Sequence, residues 1–220
     1  TLSFAAALEG LPDRPRLWIQ DAKLTHADSE LVVSRLQGVS QGSGWQILAR
    51  NLEVASLRDI VLASQMLPEN VNNIVEVLDP SGRIDAIALE SASWEHPLQS
   101  WAASLEVTDA TTQPYRKVPG LGGIDASLIA TQDGAEAWVL TQDFTLALPK
   151  VYESPIHFES VAGTLSGRWQ SDALFLEDGV FRAAVPDHTA AVQFEIDIPF
   201  FKDASTDLHM RLAAAVRDAP

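Results

Sequence analysis

Residues 101–109 read Trp-Ala-Ala-Ser-Leu-Glu-Val-Thr-Asp, and this stretch decides the fold class. Trp101, Ala103, Leu105 and Val107 fall on one side of an extended chain, with Ala102, Ser104, Glu106 and Thr108 on the other. That is the two-residue period of a half-buried strand. The pattern recurs downstream. Ile124, Ala126, Leu128 and Ala130 form one such register. Val192, Phe194, Ile196 and Ile198 form another, opposite Gln193, Glu195 and Asp197. Leu208, Met210 and Leu212 stand opposite His209 and Arg211. A long antiparallel sheet with one oily and one polar face follows.

Working upstream, strands are expected over 83–89, and earlier over 2–8, 16–24, 31–39 and 45–54. Between these two groups the period changes. Leu57, Ile60, Val61 and Met66 have helical spacing, with Ser56 placed to cap. Val71, Ile74, Val75 and Leu78 repeat that spacing after the break at Pro68. Two short helices near residues 56–78 are therefore expected. Downstream, strands are expected over 101–109, 124–131, 135–141, 144–148, 158–169, 173–185, 190–198 and 207–216. Gln132-Asp133-Gly134 and Glu177-Asp178-Gly179 read as turns. The organisation expected is a strand segment (1–55), a helical insertion (56–80) and an antiparallel groove segment (81–220). With no helix after residue 80 to cover it, the oily face must curl on itself or hold something apolar. Ala86, Ala88, Ala103, Ala126 and Ala130 are expected to widen such a groove.

Composition narrows the function. The 220 residues carry 30 Asp and Glu against 15 Lys and Arg, a net charge of −15. Such a chain offers no basic face to nucleic acid or to an anionic membrane surface. Cysteine is absent, which removes disulfides, thiolate metal sites and thiol nucleophiles together. His26, His96, His157, His188 and His209 form no metal-pair spacing. Gly163-Thr164-Leu165-Ser166-Gly167 misplaces its Ser for a nucleophile elbow. No catalytic residue, metal site or cofactor is expected. No run reaches the roughly 18 apolar residues of a membrane span. Strand-like residues at both ends lead us to expect an excerpt of a longer protein.

Two stretches carry a family resemblance. One joins YRKVPGLGGIDASL (115–128) to LTQDFTLALPKVYESPIHFESVAGTLSGRW (140–169). The other is LPENVNNIVEVLDPSGRIDAIALE (67–90). Together they resemble the YhdP-like members of the AsmA-like proteins, which are similar to TamB and to bridge-like lipid transfer proteins. The resemblance implies a long, curled β-groove with an apolar interior. It implies a periplasmic location, with an inner-membrane anchor outside these residues, and movement of phospholipid from inner to outer membrane. The implied partners are phospholipid acyl chains, neighbouring segments of the same longer chain, and membrane proteins.

The expected lining of the groove is Trp101, Ala103, Leu105, Val107, Ile124, Ala126, Leu128, Val192, Phe194, Ile196, Leu208, Met210 and Leu212. The rival expectation is a closed β-sandwich, an interaction module assisting outer-membrane protein assembly, whose oily faces seal against each other.

Overall fold

The computed structural model describes residues 2–11, 14–26, 29–64, 69–97, 99–115, 119–170, 173–186, 188–199 and 209–218. Four strands come first: β1 (Leu2–Leu11), β2 (Arg14–His26), β3 (Ser29–Gln41) and β4 (Gly44–Glu53). Two helices follow, α1 (Val54–Ser64) and α2 (Glu69–Leu78). Eight strands follow among the described residues: β5 (Ser81–Ser91), β6 (Trp101–Thr112), β7 (Gly120–Thr131), β8 (Gly134–Ala147), β9 (Ile156–Trp169), β10 (Ala173–Val185), β11 (His188–Pro199) and β12 (His209–Asp218). All twelve belong to one antiparallel meander in chain order, curled but not closed into a barrel.

The sealed sandwich is therefore corrected, because the described strands supply no second sheet. The surface area agrees. A compact 23.9 kDa protein exposes about 9,900 Å², whereas this chain exposes 14301 Å². Strands of 10 to 14 residues are about 34–48 Å long, and eleven inter-strand steps span about 50 Å. The excess area is that of a single curved layer.

The curl has a local origin. Asp21, Asn51, Asp109, Asp143 and Asp178 all have φ between 51° and 56°. They lie inside β2, β4, β6, β8 and β10, one in every second strand. Asp and Asn tolerate this left-handed conformation better than other residues with a Cβ. Each sits in the same four-residue pattern: Ile19-Gln20-Asp21-Ala22, Ala49-Arg50-Asn51-Leu52, Val107-Thr108-Asp109-Ala110, Thr141-Gln142-Asp143-Phe144 and Leu176-Glu177-Asp178-Gly179. The left-handed residue reverses the alternation, so the first and fourth residues share a face. Ala49 and Leu52 are both buried, with Arg50 and Asn51 exposed between them. Register shifts at several of these points mark β-bulges, which bend a strand and add twist.

These bulges correct three expectations. Glu177-Asp178-Gly179 is not a turn but the bend inside β10. The strands expected at 135–141 and 144–148 are one strand, β8, bent at Asp143. Ala86 and Ala88 do not face the groove. The shift between Ile84 and Ala86 pairs them with Glu106 and Ser104 on the polar face.

α1 starts at Val54 rather than after a cap at Ser56, because β4 runs straight into it and Val54 is held by the core. Its Ile60 is buried among Leu31, Val33, Ala49, Leu52 and Ile84, with Leu105 and Val107 at the edge. The oily face is thus partly covered by a helix that precedes residue 80. Arg58 ties α1 down, pairing with Asp59 at 2.7 Å and with Asp79, and donating to the Pro80 carbonyl at 3.3 Å. Met66 lies outside the described residues. α2 leans on α1 rather than on the sheet. Ile74 and Val77 are exposed in consequence.

Candidate functional site

The face on which α1 lies is the inner face, and its residues join into ladders across the strands. One ladder crosses the whole sheet. It runs Leu8, Leu17, Gly38, Ile47, Leu89, Ala103, Ala130, Ala135, Gly167, Leu176, Ile196, Met210, one residue per strand. A second runs Leu52, Ile84, Val107, Ala126, Val139, Gly163, Phe181, Val192, Ala214 from β4 to β12. Neither contains a polar side chain. Gly and Ala are frequent in both, which keeps the floor low between the bulkier residues.

The floor is tightest near the C-terminal strands. Phe181 and Phe194 stack with ring centres 5.6 Å apart. They lie over glycines: a Cβ at Gly163 would meet the Phe181 ring at 2.5 Å, and one at Gly179 would meet the Phe194 ring at 2.9 Å. The glycines are there because the rings lie flat against the strands.

Expected lining residues fall as follows. Ala103, Leu105 and Val107 lie opposite Leu89, Ile87 and Ile84 on one side, and opposite Ala130, Leu128 and Ala126 on the other. Ile124 pairs with Ala110 beyond the Asp109 bend. Val192, Phe194 and Ile196 pair with Phe181, Gly179 and Leu176. Trp101 stands at the edge, opposite Ser91. The expected lining residues from Trp101 to Ile196 are half-buried. Met210 and Leu212 pair with Ile196 and Phe194. Leu208 lies outside the described residues. Leu105 and Val107 reach the cluster under α1, so they are shared between floor and helix. The groove extends upstream of residue 81, where Leu17, Leu36 and Ile47 carry the same face through β2, β3 and β4.

The outer face carries the charge. Lys23–Glu30 (2.5 Å), Arg83–Asp85 (2.6 Å), Arg168–Glu177 (2.5 Å) and Arg211–Glu195 (3.2 Å) are paired there. These exposed pairs add little stability each. Hydrogen bonds from Thr108, and then from Arg83, hold the Asp85 carboxyl below its usual range. Two polar residues on the inner face are buried among the described residues, Ser91 and Thr141. Thr141 donates its hydroxyl to the Gly123 carbonyl and thereby satisfies a bend in β7. Among the described residues, no three His, Asp or Glu gather as metal ligands.

An unclosed sheet with a continuous oily face on one side and ion pairs on the other is a trough, and residues 13–219 match the YhdP protein family. The chain belongs to the YhdP family. Its relatives form an AsmA-like lipid transport family. Among curated proteins and among solved structures, no significant match is found.

Proposed function

We propose that this YhdP segment is a stretch of trough along which phospholipid acyl chains travel between inner and outer membrane. The observation that carries this reading is the ladder from Leu8 to Met210, apolar in every strand and roofed by no second sheet among the described residues. An acyl chain laid on it gains about 0.8 kcal/mol for each methylene removed from water. No single contact is required, so the chain can slide. Small residues let it sit deep, while the open side leaves the headgroup in water.

In this reading the segment works in the periplasm, held to the inner membrane by a part of the longer protein outside these residues. Neighbouring segments of that protein extend the trough, and membrane proteins receive its ends. No group of the chain needs to react. The experiment is mass spectrometry of lipids extracted from the purified protein, with a photo-crosslinker at Leu128. Phospholipid in the extract, crosslinked at Leu128, is the expected result. A delipidated protein that recovers no phospholipid from vesicles overturns the reading.

A further inference from the structure

We propose that α1 and Trp94 are the two walls of a constriction in the trough, which confines a passing acyl chain to one row of the floor and excludes chains that carry a bulky end. The inference rests on the proposed lipid-carrying role and deepens it by naming what the trough admits. Trp94 lies in the connection between β5 and β6 and is 57% exposed, yet it is held in place. Its ring packs against Trp45 with centroids 5.7 Å apart, and its ring N–H donates to Ser40 Oγ at 3.3 Å. Its backbone N–H donates to the Ser43 carbonyl at 2.9 Å, and Ser43 Oγ donates to the Ala92 carbonyl at 3.1 Å. Ser40 and Trp45 pair with each other and share an inner-face row with Ser91 and Trp101. The connection therefore folds inward over that row, and the Trp94 ring stands on the inner side of the sheet.

The other wall is α1. A helix is about 10 Å across with its side chains, so it stands well above the floor on which it lies. It covers Ala49, Leu52 and Ile84, and its cluster reaches Leu36, Ile87 and Leu105. Along β5, Ile87 thus belongs to the helix side and Ser91 to the tryptophan side. Leu89 lies between them and is 37% exposed. Ile87 and Ser91 are about 14 Å apart along the strand, and the flank of α1 and the Trp45–Trp94 pair each take a share of that width. What stays open is a corridor one residue wide, floored by Gly38, Ile47, Leu89 and Ala103. α1 packs on β2 to β5, and among the described residues no helix follows Leu78. The same row goes on through Ala135, Gly167 and Leu176 with no helix of its own beside it.

The corridor suits a thin, flexible chain. A polymethylene chain can lie along the Ile47–Leu89–Ala103 row, with the indole on one side and the aliphatic flank of α1 on the other, and slide past both. A rigid, wide end group cannot follow it without pushing Trp94 off Trp45 and Ser40. α1 cannot give way instead, because Ile60 is buried in the core and Arg58 ties the helix to Asp79 and the Pro80 carbonyl. The passenger admitted is therefore a lipid with plain acyl chains. Downstream, where α1 no longer lies on the floor, the same lipid has more room.

The test places a photo-crosslinker at Leu89 or at Leu176, two positions of one ladder, one between the walls and one beyond them. The delipidated protein is offered vesicles of phosphatidylcholine with plain acyl chains, or with a pyrene at the end of one chain. Plain lipid should crosslink at both positions. The pyrene lipid should crosslink at Leu176 and be lost at Leu89, and Trp94→Ala should restore it at Leu89, with circular dichroism to establish folding. Equal crosslinking of the pyrene lipid at both positions, or its exclusion from both, overturns the constriction in the unaltered protein, without recourse to a variant. Loss of both lipids at Leu89 with Leu176 still labelled overturns the corridor as the path while leaving lipid carriage intact. A folded Trp94→Ala that still excludes the pyrene lipid from Leu89 overturns Trp94 as a wall. No lipid at either position overturns the carriage reading as well.

Discussion

Leu128→Asp is the sharpest probe of the trough. Leu128 is half-buried on the inner face, between Leu105 and Ala137. The fold should tolerate the change, because the side chain already borders open space and the carboxylate can keep its water. A passing acyl chain cannot leave it that water without losing contact. If about four methylenes are kept off the floor, at ~0.8 kcal/mol each, the loss is ~3 kcal/mol, or roughly a hundredfold in occupancy. The neighbouring Ile129 gives the control. It is 49% exposed on the outer face, so Ile129→Asp makes the same chemical change one residue away on the wrong side of the sheet. The assay is lipid crosslinking at Ala137, with circular dichroism to establish folding. Leu128→Asp should lose crosslinking and Ile129→Asp should keep it. A folded Leu128→Asp that still crosslinks, or equal loss in both variants, refutes the assignment of the inner face as lipid path.

Three further outcomes follow from the packing. Ile60→Ala removes the buried anchor of α1 and should lower stability by about 2–4 kcal/mol in a denaturant titration. Gly163→Ala drives a Cβ into the Phe181 ring and the Val180 carbonyl. It should cost about 1–3 kcal/mol by calorimetry, and Phe181→Ala in the same chain should recover part of that. Thr108→Val removes the leading cause of the lowered Asp85 carboxyl. A lowered folded value contributes stability above the unfolded value of 3.8 that is lost as pH falls through the folded one. The acid-unfolding midpoint, followed by circular dichroism, should therefore move up in the variant.

Alternation made most of the sheet legible in the sequence. Trp101 to Val107 and Val192 to Ile196 lie on the face that their two-residue period assigns, and α2 spans the residues where helical spacing was read. What alternation could not show is where it breaks. A left-handed Asp reverses the face without breaking the strand, so Asp143 looks like a gap between two strands and Asp178 like a turn. The signal was present as a pattern of inward residue, polar residue, Asp or Asn, inward residue, repeated in five strands. Ala86 and Ala88 turn outward through a register shift beside Asp85, which breaks the alternation from Ile84 without a left-handed residue. The site was half legible. Its downstream residues follow from strand register, but its reach through Leu17, Leu36 and Ile47 depends on the pairing of β4 with β5 around the helices. Neither strand's own sequence encodes that pairing.

The placement of the bends explains why an oily sheet of this size stays open. A sheet that closes or doubles over satisfies its apolar face against itself, and then the face is unavailable. Here each even strand from β2 to β10 carries its own Asp or Asn bend, so curvature is set within a hairpin and does not depend on the first strand meeting the last. Adding hairpins then lengthens the trough without narrowing it. The same bends hold the exposed Asp and Asn on the outer face, where their charge and amide groups remain in water while the inner ladder runs apolar past them. The cost is a small fully buried core, concentrated under α1. The fold relies instead on strand pairing and on half-buried contacts along each ladder. Away from α1, which covers Leu52 and Ile84, those half-buried contacts leave one side of the ladder without a protein neighbour, and an acyl chain can fill that side.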